Sequence, residues 1–149
     1  MATLHDIERY IDLYALSIRN QHLSPIIRSN IYCLQGEQYQ SPMKATVFWP
    51  DTWPHNDKYG VYAIFSDEQV LYIGKASQNY IGYRLTSHFR YSNDKKSGIP
   101  KNAAKWSKPP THIVAWSVPE SSFFEASSLE EYLIYALRDD LPDNRIGTY

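Results

Sequence analysis

The sequence predicts an α+β domain of order β-β-α-β-α behind a helical extension. Three observations point there. Two adjacent β-branched and aromatic runs, YGVYAIF (59–65) and QVLYIG (69–74), flank a short polar turn; a third such run, THIVAWSV, covers 111–118; and apolar residues recur at helical spacing between and after them. The chain divides at residue 58, with 1–58 as helical extension and connector and 59–149 as the β-β-α-β-α domain.

In the extension, Leu4, Ile7, Ile11, Tyr14 and Ile18 recur at steps of three and four, and Thr3 with Asp6 forms a capping pair, so a helix is expected from Thr3 to Asn20. A second helix is expected from Pro25 to Leu34. Ser24 is its cap, Pro25 suits the first helical position, Ile27, Ile31 and Leu34 share a face, and Gly36 stops it. Residues 37–58, with Pro42, Pro50 and Pro54, read as an irregular connector.

The two strands that follow form a hairpin through Ser66, Asp67 and Glu68. Pairing Phe65 with Gln69 across a three-residue loop sets Tyr62 opposite Tyr72. Val61, Ala63, Phe65, Leu71 and Ile73 then share one face, and Tyr62, Ile64 and Tyr72 the other. A helix is expected from Asn79 to Arg90, with Ile81, Leu85 and Phe89 buried. The last helix is expected from Ser122, capped by a Ser122–Glu125 box, to about Arg138.

Composition narrows the class. The chain has 149 residues, 43% apolar and 21% charged, which suits one globular domain with a short appendage. A net charge of -1 removes any whole-molecule argument for a polyanion partner, while thirteen Tyr, four Trp and five Phe serve packing and base stacking equally. The single cysteine, Cys33, excludes an internal disulfide or a multi-cysteine zinc site, and is expected to pack in a core in a reducing compartment. No apolar run approaches the ~20 residues that span a bilayer, and acids interrupt the start MATLHDIERYIDLY, so a soluble, unexported, cytoplasmic protein is expected.

Charge is unevenly placed. Between Lys75 and His112 lie Lys75, Arg84, Arg90, Lys95, Lys96, Lys101, Lys105 and Lys108 against one acid, Asp94. This is either a phosphate-binding face or a solvated loop, and its aromatic company of Tyr80, Tyr83, Tyr91 and Trp106 suits the former. In the last helix, Phe123, Ala126, Leu133, Ile134 and Leu137 lie within ~60° of Glu130 on a helical wheel, so Glu130 points into the apolar stripe while Glu131 and Arg138 are solvated. A carboxylate there needs a cation, a metal or donors. A salt bridge to Arg84 and a metal ligand are the two readings. Arg84 and His88, four apart on the expected helix, share one face at the edge of its stripe. His5, His22, His55 and His112 lack the spacing of a metal site and read as structural.

Together these residues resemble the GIY-YIG nucleases. Gly60, Val61 and Tyr62, with Val in place of Ile, precede Tyr72, Ile73 and Gly74 by the family's spacing. Lys75 follows directly, Arg84 and His88 match the arginine with a His or Tyr four later, Glu130 in EEYLI matches the glutamate, and Pro142 and Asn144 resemble the closing proline and asparagine. Glu130 to Asn144 is two residues longer than in the repair incision nucleases. The resemblance implies a small three-stranded antiparallel sheet flanked by helices and Mg²⁺- or Mn²⁺-dependent hydrolysis of DNA phosphodiesters, with one ion per site on Glu130.

On that reading the catalytic residues are Tyr62, Tyr72, Arg84, His88 and Glu130. Arg84 and Lys75 neutralise phosphate charge, a Tyr62–His88 unit handles the water, and Gly60, Gly74 and Asn144 support the site. Cations nearby would favour the Tyr62 phenolate. Lys75, Arg90, Lys95, Lys96, Lys101 and Lys105 would track the DNA backbone. The competing reading is a nucleic-acid-binding module on the same fold that does not cleave. The N-terminal helices could pack on the domain, form a homodimer or hold a partner.

Overall fold

The computed structural model describes residues 1–48 and 52–144; Pro50 of the connector and the last five residues of the expected domain lie outside them. In chain order the elements are α1 (Leu4–Ser17), β1 (Ile27–Arg28), β2 (Tyr32–Cys33), β3 (Val47–Phe48), β4 (Tyr59–Ser66), β5 (Gln69–Ala76), α2 (Ile81–Thr86), β6 (Phe89–Tyr91), β7 (Gly98–Pro100), β8 (His112–Val118) and α3 (Glu125–Leu137).

The fold is α+β, but its sheet is larger than the one expected. The three foreseen strands pair antiparallel, with β4 between β5 and β8. They belong, however, to a mixed six-stranded sheet of order β3-β2-β8-β4-β5, with β1 also on β8, and β6 and β7 form a separate two-stranded sheet. A small three-stranded antiparallel sheet is therefore the wrong description. The extra strands come from residues 25–48, where a helix and a connector were expected. Ser29 N–H donates to Ala115 O at 2.7 Å, Leu34 N–H to Thr111 O at 2.8 Å, and the Ala115 N–H to Ser29 Oγ at 2.9 Å. The open edge of β8 thus supplies partners for backbone that a helix would have satisfied internally, and the β-branched residues Ile26, Ile27 and Ile31 accept the extended form. β3 then adds parallel to β2.

The hairpin register also differs. Ser66 pairs with Gln69 and Phe65 with Val70, so the loop is Asp67–Glu68, with Asp67 at φ +50°, and Ile64, not Tyr62, faces Tyr72. A bulge beyond Ile64 absorbs the odd residue and returns Tyr62, Ile64 and Tyr72 to one face, while Leu71 moves from its expected face to theirs.

Each face of the sheet has a core. One packs Val61, Ala63, Phe65, Ile73, Val114 and Trp116 against Ile7, Ile11 and Tyr14 of α1 and Leu129 and Leu133 of α3. The other packs Tyr62, Ile64, Leu71 and Ile113 against Ile81 and Leu85 of α2, Phe89 and Trp106. α1 is capped by the Asp6 carboxylate, which accepts from Thr3 N at 2.9 Å, and it lies on α3 through Tyr14, whose hydroxyl is 2.6 Å from Ser128 Oγ. Ile18, expected in the α1 stripe, is exposed.

Two helix boundaries are corrected as well. α2 ends at Thr86, not Arg90, because Thr86 and Ser87 hydroxyls take the last-turn carbonyls of Tyr83 and Arg84 at 2.6 and 2.5 Å, and the chain then turns into β6. α3 begins at Glu125 after a 3₁₀ turn at Glu120–Ser122; Ser122 Oγ does reach Glu125 at 3.2 Å, but this carboxylate is engaged by Arg19.

Candidate active site

The residues singled out in the sequence converge from three elements. Tyr62 from β4 and Tyr72 from β5 lie with ring centroids 6.2 Å apart, and His88, in the turn after α2, lies 5.8 Å from one and 5.3 Å from the other. The Tyr62 hydroxyl is 2.9 Å from His88 Nε2. The positive charge of Arg84 acts on the same hydroxyl and favours its ionised form. His88 is not on a helical face one turn past Arg84, as expected; the turn carries it under the sheet.

Gly60 and Gly74 make this packing possible. A Cβ on Gly74 would sit 2.4 Å from the Cζ and hydroxyl oxygen of Tyr62, so the missing side chain is the slot in which the phenol lies. A Cβ on Gly60, at φ +154°, would lie 1.9 Å from Trp116 O of the neighbouring strand. Asn144 holds the outer edge of β5: its Oδ1 accepts from Ile73 N–H and its Nδ2 donates to Ile73 O, both at 2.9 Å, in imitation of a further strand. Next to it, Asp143 accepts from the Ser107 N–H at 3.0 Å and thereby anchors Trp106, whose ring packs 5.9 Å from Tyr72 and 5.7 Å from His88.

Burial sets the electrostatics. Tyr62 is fully buried and its phenol is held above its ordinary pKa by desolvation, reinforced by Tyr72 and only partly opposed by Arg84. The expected phenolate is therefore disfavoured: desolvation outweighs the cation. His88 is pushed down to about 4 by burial, then by Lys105 and Arg84, and is neutral near pH 7. Tyr72 is only half-buried and is the more accessible phenol; Lys105 Nζ lies 5.8 Å from its ring centroid.

Glu130, on α3, is half-buried and lines a groove of about 380 Å³ with Lys75, Ser127, Glu131, Ile134, Tyr135 and Arg138. Burial raises its pKa, while Lys75 and Arg84 lower it. Its charge also acts on Tyr62, which links the groove to the phenol cluster. Among the described residues no ion pair within 4.0 Å involves Glu130, so a direct salt bridge to Arg84 is absent; Lys75 Nζ donates instead to Ser127 Oγ at 3.1 Å. The buried carboxylate of α3 is Glu125, paired with Arg19, a role that wheel geometry did not single out.

The basic stretch is only partly gathered here. Lys75 borders the groove and Lys105 covers Tyr72. Arg90 is on β6, exposed Lys95 and Lys96 form the β6–β7 turn, with Lys95 at φ +58°, and Lys101 follows β7. Ser127, Asp143 and Ser107 had no signal in the sequence beyond their polarity. Among the described residues no three His, Cys, Asp or Glu side chains form a metal cage, and no helix is long and apolar enough to cross a membrane. No family model, curated protein or solved structure matches the chain.

Proposed function

We propose that this chain is a divalent-metal-dependent DNA endonuclease working through a GIY-YIG-type site. The observation that carries the reading is the convergence of Tyr62, Tyr72, Arg84 and His88 beside a half-buried, unpaired Glu130. A structural domain has no need of a desolvated carboxylate kept out of ion-pair contact with Lys75 and Arg84, the cations that act on it.

The residues fit a magnesium ion. Glu130 offers one carboxylate in an open groove, which suits an ion that keeps most of its waters. When bound, the cation supplies charge neutralisation near the departing 3′ oxygen. Arg84 and Lys75 stabilise the added negative charge of the phosphorane-like transition state, Arg84 through several donors and Lys75 as a point charge. Tyr72, the more accessible phenol, orients the attacking water. Tyr62 and His88 are closed to solvent, so they serve as positioning residues: their hydrogen bond ties the strand carrying Tyr62 to the turn that follows the helix of Arg84. A homodimer, if one forms, has the outer face of α1 to use, where Leu13 and Leu16 are exposed; its inner face is taken by α3.

The test is nicking of supercoiled plasmid with Mg²⁺ by wild type and Glu130→Ala. Activity confined to wild type supports the proposal. Equal nicking by both proteins overturns it, and DNA binding with no cleavage by either would instead identify a binding module.

A further inference from the structure

On the opposite side of β8 from the phenol cluster's strands, β2 brings Cys33 directly across from His112 in the antiparallel pairing. Both side chains are buried, at 1% and 0% exposure, and both line a cavity of about 380 Å³ whose wall also includes Tyr39 and Met43. Neither residue has a part in the proposed nuclease site.

The hydrogen bonds engage one side of the imidazole and leave the other without a partner. Thr111 Oγ1 accepts from the Asp67 N–H at 2.7 Å and lies 3.4 Å from Phe65 O and 2.7 Å from His112 Nδ1, to which it can donate or from which it can accept. In either tautomer Nε2 is the one buried side-chain nitrogen or oxygen among the described residues without a partner. An unpaired polar atom in a core is costly unless something binds it. The nearby Asp67 carboxylate is occupied, taking the Tyr39 hydroxyl at 2.6 Å. The Cys33 thiol has only a long contact, 3.8 Å, to Gly36 O.

We propose that Cys33 Sγ and His112 Nε2 form a binding site for a soft monovalent d¹⁰ cation, cuprous ion, with the Met43 thioether as an available third donor. A thiolate, an imidazole and a thioether are soft ligands that select such an ion. Ligand type and number decide against zinc: a thioether among the donors selects Cu⁺, and a structural Zn²⁺ takes four ligands where this site offers three. Binding forms the S–Cu and N–Cu bonds, releases the Cys33 thiol proton to solvent and changes no oxidation state. Thr111 is the outer partner that orients the imidazole.

The test is anaerobic competition between the full chain and bicinchoninate for Cu⁺, read by loss of the chelate colour. Wild type should withdraw one equivalent. Cys33→Ser and His112→Gln, with native circular dichroism, should lose affinity by more than the ~10–100-fold that removal of an outer partner costs. In wild type alone, stoichiometric Cu⁺ should shift the ring protons of His112 and leave those of His88 in place, a readout that requires no variant to fold. No uptake, uptake unchanged in folded variants, an unmoved His112, or tighter binding of Zn²⁺ at the same residues would each overturn the assignment.

Discussion

The hydroxyl of Tyr62 and Nε2 of His88 lie 2.9 Å apart inside a shell of aromatic rings and join β4 to the turn after α2. The bond fastens the segment carrying Arg84 to the strand carrying the first tyrosine. It also makes the site's stability depend on a neutral imidazole.

The pH dependence follows. In the folded chain His88 is depressed from 6.5 to about 4, so between these values the unfolded chain binds a proton that the folded chain refuses. The contribution is complete above 6.5 and is lost as pH falls toward 4, on the order of 3 kcal/mol. Urea denaturation across this window should show stability falling with acid, and His88→Gln should flatten the slope. An unchanged slope would place the proton uptake elsewhere.

Gly74→Ala tests the slot beneath Tyr62. The new methyl would meet the phenol at 2.4 Å, so the ring must move off His88. A loss of ~1–3 kcal/mol is expected, with plasmid nicking reduced under conditions where the variant is fully folded. Wild-type activity with wild-type stability would show that the ring position is unimportant.

Arg19→Ala should be among the most destabilising changes outside the sheet. It strands the Glu125 carboxylate, which like its partner is 6% exposed, at a cost of about 3–5 kcal/mol. Glu131→Gln on the exposed side of α3 should stay within ~0.5 kcal/mol. Thermal or urea midpoints rank the two, and equal effects would contradict the assigned burial.

Asn144→Ala removes both bonds to Ile73 at the edge of β5, and a loss of about 1–3 kcal/mol is expected. Asn144→Asp should rescue little, since a carboxylate cannot donate to Ile73 O. Amide exchange at Ile73 reads the effect directly; protection equal to wild type would argue that the edge is held by other groups.

The basic residues should separate by location. Arg84→Ala should abolish cleavage with modest loss of DNA binding. Lys95 and Lys96, on the β6–β7 turn, should affect binding and reduce the salt slope by ~1 each if they meet phosphates. Lys105, over the Tyr72 ring, should affect cleavage as well. A salt slope untouched by the lysine changes would remove that turn from the DNA path.

Much of this arrangement could be read from residue order. The alternation of YGVYAIF and QVLYIG placed both tyrosines on one face even though the register was wrong by a bulge, because burial on both sides penalises any pairing that mixes the faces. The periodicity of residues 3–20 identified α1 because its inward stripe is met by α3. Ser24 to Leu34 failed for the opposite reason. Its apolar spacing fits a helix, yet the free edge of β8 pairs its backbone, and a local pattern carries no record of a strand some eighty residues away.

The order of residues was sufficient to establish the α+β class, the shared face of Tyr62, Ile64 and Tyr72, the first helix and the set of chemically capable side chains, all of which depend on neighbours a few positions apart. The size of the sheet, the true buried acid of α3, the seclusion of Tyr62 with His88 and the unpaired nitrogen of His112 arise only when distant segments meet. Desolvation and cross-strand pairing are properties of that meeting, and they decide which of the capable groups is charged, which is reachable and which is left without a partner.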